Sequence, residues 1–580
     1  MDDGAGILQN LNADHVEVRS PVMVQSLDPG ARCAPHVTHH VSNQPPVFEA
    51  NFFDNDIALK ESVERTGAGW ANEKLCALGA EAGSIEVQDL AHQANRFTPE
   101  VETHDRFGYR RDVVTFHPAY HELMRRAFGA GVHSLAWTEA ARGGSHAARA
   151  AMNYLWQQAE NGVCCPTAMA YAAIPTLRHE PSLASVWEPA ILSTTYDPSL
   201  DWFERKKGAT IGMAMTEKQG GSDLRANETK AKRVGQTELG EEFVLTGHKW
   251  FCSAPMSDAF LTLAHTERGI SCFLVPRTLP DGSRNVFRIQ RLKEKVGNRS
   301  NASAEIEYDG TRAALVGEEG RGISVILEMG HLTRLDVAIG SAGIMRRALV
   351  EALHHARHRR AFQRKLVDQP LMAGTLADLA VESEAAMALT MRAAQAIDGS
   401  EASPIECRLA RIVVPIAKFW VCKRAPAFVV EALECLGGNG YVETGLLGRL
   451  YREAPLNGLW EGSGNIICLD VLRALRRDPE AVDAVMEDLR PALGHDALYD
   501  KLVDDLPALV RAALEDERLG RRLTASLALA LQASNLIRFA PSEISNPFCA
   551  SRLSDRAVGP VFGTVITDGS AAILERAMPG

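Results

Sequence analysis

The hydrophobic period of this 580-residue chain changes twice. From about residue 48 to 210 apolar side chains recur at helical spacing, in Ala-rich runs such as Ser145–Gln158 and Pro166–Ile174 broken by Pro and Gly. From about 211 to 315 short β-rich runs replace them: Glu242–Thr246, Ala259–His265, Ser271–Val275 and Ala304–Tyr308, parted by turn signals such as Pro280–Asp281–Gly282. From about 318 the helical period returns in long stretches, Gly320–Ala356, Gln369–Asp398 and Glu406–Leu436, which suit bundle helices. A strand-period pattern does not settle as helix, nor the reverse, so this order excludes an alternating doubly wound plan. No strand–Gly-x-Gly-x-x-Gly–helix unit is visible either, and a Rossmann site is not expected. The expected fold is mainly α with a central antiparallel β barrel or sandwich and a further helical region at the C-terminus.

At roughly 100–200 residues per domain the length predicts three or four units. The expected divisions are 1–47 as a flexible extension, 48–210 helical, 211–317 β, 318–477 a helical bundle and 478–580 helical. His36, His39 and His40 fall in the first of these and are not read as a metal site.

Charge decides what partners are open to the chain. Its formal net charge is −11, so as a whole it repels nucleic acid, and any DNA contact needs a local basic patch. Such a patch is available in the tail, where Arg518, Arg521, Arg522, Arg538, Arg552 and Arg556 face only Glu543 and Asp555. The fork geometry of arginine suits phosphate. Solvated helix faces with short-range acid–arginine pairs explain the same pattern. The eleven cysteines form no C-x-x-C pair, which reads as free thiols in a reducing cytoplasm. No secretory leader and no apolar run of about 18 residues is seen, so no membrane span is expected.

Four segments carry candidate chemistry. In Met213–Asp223, Thr216 and Ser222 supply hydroxyls beside Gly220 and Gly221, where backbone N–H groups can approach a planar or phosphate ligand. Taken alone, that stretch reads more simply as a Gly-rich surface turn. Gly247–Ser253 ends a strand with Trp250 and Phe251, then Cys252 and Ser253: an aromatic wall with a hydroxyl, or core aromatics at a strand end. Leu436–Tyr441 carries three glycines after a helix, fit for a C-cap or for close contact with a pyrophosphate. In Leu459–Asn465 one carboxylate, Glu461, sits between Trp460 and Gly462. Trp460 would desolvate it and raise its pKa, as a base for a weakly acidic C–H proton requires. An exposed loop Glu is the plain alternative.

In this order and spacing the segments, with Arg359 and Phe362, resemble the acyl-CoA dehydrogenases. Met215–Asp223, Leu292–Ser303 and Leu459–Asn465 look like the AidB branch, the flavoproteins of the bacterial adaptive response to DNA alkylation. The resemblance implies that branch's fold: a helical domain, a β-barrel, a helical bundle and a C-terminal helical domain. It implies FAD, with Met213, Met215, Thr216, Gly221, Ser222, Phe251, Cys252 and Ser253 on the isoalloxazine side. Leu459, Trp460, Gly462 and Asn465 belong to the same cofactor environment. Arg359, Phe362, Gln369, Gly437 and Gly438 would hold the ADP part, partly across a subunit interface, in a homotetramer. The implied reaction is α,β-dehydrogenation of an acyl-CoA, with Glu461 as base and Arg334 beside it or orienting the thioester. Some family members place the base near Thr333–Arg334, where this chain has no carboxylate. Glu434 stands where the family usually has Gln, Gln363 where it has Gly, and Lys218–Gln219 where it has Pro–Gly. The branch further implies sequence-independent binding of double-stranded DNA and protection from alkylation, with residual dehydrogenase activity. A metabolic acyl-CoA dehydrogenase without a DNA role, or a flavin-bearing scaffold, are the competing expectations.

Overall fold

In the computed structural model residues 38–554, 561–564 and 569–578 are described. His36, Arg556 and most of the expected N-terminal extension lie outside them; residues 38–44 form no helix or strand. Pro45 to Gly580 clusters as one unit.

Before the sheet come α1 (Ile57–Arg65), α2 (Asn72–Ala82), α3 (Ile85–Arg96), the hairpin β1 (Glu100–His104) and β2 (Arg110–Thr115), then α4 (Pro118–Ala130), α5 (Leu135–Thr138), α6 (Ser145–Ala159), α7 (Cys164–Leu177) and α8 (Pro181–Ile191). The hairpin departs from the helical pattern expected for this region. Its strands are short and mostly polar outside, so they carry little apolar alternation.

The β region comprises β3 (Ile211–Ala214), β4 (Lys230–Thr237), β5 (Gly240–Ser253), β6 (Ala259–Thr266), β7 (Gly269–Pro276), β8 (Phe287–Leu292) and β9 (Ser303–Val316). Neighbours run β6–β4–β5–β9–β7, and β7 pairs back onto β6, so the sheet closes into a barrel. Its pairing is not purely antiparallel: β3 runs parallel to β6, Ile211 opposite Ala259, and β4 touches β6 in parallel. Phe243, Phe260, Phe273, Phe287 and Tyr308 fill the interior. The expected runs mark only the parts of β5 and β9 with clear apolar signal; each strand is 14 residues long.

The three long bundle helices are α9 (Gly322–His358), α10 (Pro370–Gly399) and α11 (Pro404–Cys435), close to the expected bounds. Pro404 takes the first turn of α11, where no N–H is needed, and the Ser403 hydroxyl accepts from Glu406 N at 3.3 Å. Buried charge fixes how α6 meets α9: Arg149 and Asp336, each 1% exposed at the side chain, form an ion pair.

After α11 come α12 (Leu447–Glu453), α13 (Gly464–Arg477), α14 (Glu480–Leu489), α15 (Ala497–Glu515), α16 (Gly520–Phe539), α17 (Ser542–Arg552) and α18 (Ser570–Ala577). Most of them pack on α10 or α11, while α15 packs on α16, and ion pairs key them in place. Arg552 bridges Asp378 at 2.6 Å and Glu382 at 2.9 Å. Arg576 bridges Glu384 at 2.9 Å and Glu61. Arg552 is therefore no phosphate contact: its guanidinium is spent on two almost fully buried carboxylates of α10, and removing it would leave Asp378 without its cation, while Glu382 keeps Arg424 at 2.8 Å. Among the described residues no helix is long and apolar enough to cross a membrane, and no cluster of His, Cys, Asp and Glu could hold a metal ion.

Candidate functional site

A cleft of about 2430 Å3 opens between the barrel, α9 and the loop leading into α13. It is lined by Met213, Met215, Thr216, Gly221, Ser222, Phe251, Ser253, Arg334, Leu459, Trp460, Glu461 and Gly462, which the sequence scatters over about 250 positions.

The barrel side is built on one buried carboxylate. Glu217, fully buried, accepts from Lys249 Nζ at 2.7 Å, Thr229 Oγ1 at 2.6 Å, Glu228 N at 2.6 Å and Gln219 Nε2 at 2.9 Å. These donors and the Lys249 charge hold its carboxyl down to about 2. Lys249 also donates to Leu263 O at 2.8 Å. The 213–223 segment is thereby tied to β5, and Trp250 N donates to Thr216 O at 2.7 Å. Gly221 is required by close approach, since a Cβ there would meet Thr216 Oγ1 at 2.4 Å. The wall so formed carries the half-exposed Phe251 ring, the apolar Met213 and Met215, and the hydroxyls of Thr216 and Ser253. That donor set suits a flat heterocycle with polar edges. Cys252 points the other way, with its side chain in the barrel core, and burial pushes its thiol well up.

Opposite this wall stands the Glu461 loop. Gly462 takes φ +102° freely, but Glu461 has φ +59°, which in a non-glycine residue persists only where its surroundings over-determine it. Two cations do so. Arg334 Nε on α9 donates to Glu461 O at 3.0 Å, and Lys418 Nζ on α11 donates to Gly462 O. Trp460 Nε1 donates to Asn457 Oδ1 at 3.0 Å, fixing the ring beside the carboxylate. Burial raises the Glu461 pKa above 4.5, while the Thr333 hydroxyl and the Arg334 and Lys418 charges oppose it. Gly330 of α9 lies against the carboxylate: a Cβ there would sit 3.9 Å from Glu461 Oε2, an ordinary contact.

Beyond Glu461 the wall becomes basic. Asp470 accepts from Arg334 Nη1 at 2.8 Å and from Arg411 Nη2 at 2.8 Å, with Arg473 Nη1 at 3.5 Å. One carboxylate thus serves three arginines, all on the cleft. Burial and the Arg411 and Arg334 charges hold His331, one turn away, down to about 3.

Arg359, Phe362, Gln369, Gly437, Gly438 and Asn465 do not line this cleft. Phe362 and Gln363, at φ +50° and +68°, form the two-residue turn between strands β10 (Arg360–Ala361) and β11 (Arg364–Lys365), as such hairpins require. Phe362 is 93% exposed. Asn465 accepts from Arg521 Nη1 at 2.8 Å. Of the tail arginines, Arg518 is exposed and forks onto Asp516, Arg521 and Arg522 are exposed, and Arg538 lies half-buried over Phe539. Sequence reasoning missed Lys418, Arg411 and Asp470. Their only signal is a charge on an otherwise apolar helix face, which names no partner.

The chain matches three family models: "Adaptive response protein AidB N-terminal domain" over residues 43–198, "Acyl-CoA dehydrogenase, middle domain" over 212–311 and "Acyl-CoA dehydrogenase, C-terminal domain" over 320–476. AidB of Escherichia coli (strain K12) is 45% identical over 521 residues, 90% of this chain and 95% of that protein. Acyl-CoA dehydrogenase family member 11 of Caenorhabditis elegans is 31% identical over 445 residues, 74% of this chain and 71% of that protein. The crystal structure of Caenorhabditis elegans ACDH-11 in complex with C11-CoA matches with a TM-score of 0.80 at 25% identity, covering 94% of each chain. These matches, over the same segments that build the cleft, show that the chain belongs to the acyl-CoA dehydrogenase family of FAD-dependent flavoprotein oxidoreductases.

Proposed function

We propose that this protein oxidises an acyl-CoA between its α and β carbons, with Glu461 as the base and FAD along the Met213–Ser253 wall. The observation that carries the reading is the Glu461 carboxylate, desolvated and facing the cleft on a backbone pinned by Arg334 and Lys418. Desolvation strengthens the base that takes the α-proton, and the pinned loop holds it at a fixed height over the substrate. Bound FAD supplies the acceptor for the β-hydride. Thr216, Ser222 and Ser253 would bond the polar edge of its ring system while Phe251 and Trp460 exclude water. The Caenorhabditis elegans relative was solved with C11-CoA, which supports an acyl-CoA ligand here.

Arg359, Phe362, Gln369, Gly437 and Gly438 fit the ADP end only if a second copy brings its cleft to them. The exposed Phe362 ring and the open space around Gly437 and Gly438 support such a contact, within a homotetramer. The test is an anaerobic titration of FAD-loaded protein with acyl-CoAs of graded chain length. Bleaching of the flavin band is expected for at least one; no bleaching with any of them overturns the reading.

A second reading, association with double-stranded DNA and protection from alkylation, is favoured by one surface. Arg521 and Arg522 at the start of α16 are exposed, Arg521 touches Asn465 at the start of α13, and Arg473 and Arg477 of α13 line the cleft. This gives a basic path from the tail to the cleft on a molecule of net charge −11. Duplex binding is expected to be independent of sequence and to weaken steeply with salt. Arg521→Ala combined with Arg522→Ala should weaken retention at low salt and flatten the salt dependence, the slope falling by about 1 for each phosphate left without its arginine. Retention unchanged by the double substitution would exclude this surface.

A further inference from the structure

On the barrel side of the cleft one cation has no carboxylate in ion-pair contact among the described residues. Lys295, just after β8, lines the cleft with Ser253 and Ser303, which are paired across β5 and β9. Its Nζ donates to Asn301 O at 2.7 Å and to Ser303 Oγ at 3.1 Å, and reaches Asn298 Oδ1 at 3.4 Å. All three acceptors are neutral. Glu160 and Glu453 act on Lys295 only through space and form no ion pair with it: Glu160 accepts from Ser300 Oγ and Val163 N, Glu453 from Asn298 N. Burial holds the Lys295 ammonium down to about 8, with the nearby Cys165, Glu453 and Glu160 acting the other way. Its neighbour Lys293 differs: it pairs with Glu305 at 2.7 Å and lies 3.2 Å from the centre of the Trp250 ring. A half-buried ammonium with no carboxylate in contact is stabilised by a ligand that brings negative charge against it.

We propose that Lys295 is the counter-ion of the cofactor, its ammonium facing the isoalloxazine on the Phe251–Ser253 wall and offsetting the negative charge the ring system gains on reduction. The inference rests on FAD lying along that wall. Two electrons and one proton arrive together as hydride from the substrate's β carbon, so a neutral ring system becomes an anion. Lys295 stabilises that anion and so raises the reduction potential. The same charge forms when sulfite adds to the oxidised ring, which makes inorganic sulfite a probe independent of turnover.

The experiment uses purified, FAD-loaded protein and the variants Lys295→Arg, Lys295→Gln and Lys295→Met. FAD content, sulfite affinity from bleaching of the flavin band, and midpoint potential from dye equilibration are read in parallel. Lys295→Gln and Lys295→Met should hold FAD and bind sulfite at least tenfold more weakly. Each tenfold loss in the stability of the reduced form corresponds to a potential about 30 mV more negative. Lys295→Arg should stay near wild type. Loss of FAD from the Gln and Met variants alone, at an unchanged thermal midpoint, also supports the charge role. Unchanged sulfite affinity and potential in FAD-loaded Lys295→Met, or loss of FAD from all three variants, overturns the proposal. Absence of FAD from the wild-type protein itself overturns instead the reading on which it rests.

Discussion

Glu461→Gln lowers the rate of flavin bleaching by acyl-CoA by about 100- to 10,000-fold and leaves FAD bound. The substitution keeps the shape of the side chain, so the loop pinned through Glu461 O and Gly462 O should stand as before. What it removes is the proton acceptor. Stopped-flow reduction under anaerobic conditions checks it, with FAD content measured in the same sample. The pH dependence has a definite sign. Burial raises the Glu461 pKa above 4.5, and only the ionised form is a base. The wild-type rate should therefore rise as pH passes upward through that raised pKa, and the Glu461→Gln variant should lack this limb. A variant reduced at the wild-type rate would remove Glu461 from the reaction and leave the cleft without its base.

The Glu461 loop was legible as one feature because its residues are unusual: a Trp, a Glu and two glycines fall within Leu459–Asn465, and the structure places that loop on the cleft. The helices α9, α10 and α11 were legible to within a few residues because each buries a long apolar stripe. Pairing across the chain was not legible. Lys418 and Asp470 look like stray charges on helices, and only the tertiary fold shows that one pins Gly462 and the other gathers Arg334, Arg411 and Arg473. Arg552 shows the same limit with the opposite consequence. In the sequence it belongs to a run of arginines with few acids nearby, yet its partners Asp378 and Glu382 lie about 170 positions away on α10. Charge counted along a segment predicts a free basic surface only where no distant carboxylate folds onto it.

The Glu217–Lys249 pair carries the other large expected effect. Lys249→Met should lower unfolding stability by about 3–5 kcal/mol, because it leaves a fully buried carboxylate with neutral donors only. Glu217 is also the hub that ties the 213–223 segment to β5, so FAD content should fall with stability. Urea unfolding followed by tryptophan fluorescence measures the first, and flavin absorbance the second. A double variant separates charge from packing: Glu217→Gln with Lys249→Met removes both charges and should be less destabilised than Lys249→Met alone. Acid narrows the gap to wild type. The Glu217 carboxyl is held down to about 2 in the folded protein, so its stabilising contribution is complete above its ordinary value of 4.5 and disappears as pH falls toward 2. Over the same range the carboxylate stranded in Lys249→Met becomes protonated and stops opposing folding. If Lys249→Met costs less than about 1 kcal/mol near neutral pH, or matches the double variant, the 213–223 segment is not held against β5 by this ion pair, and its rigidity comes from the backbone bonds alone.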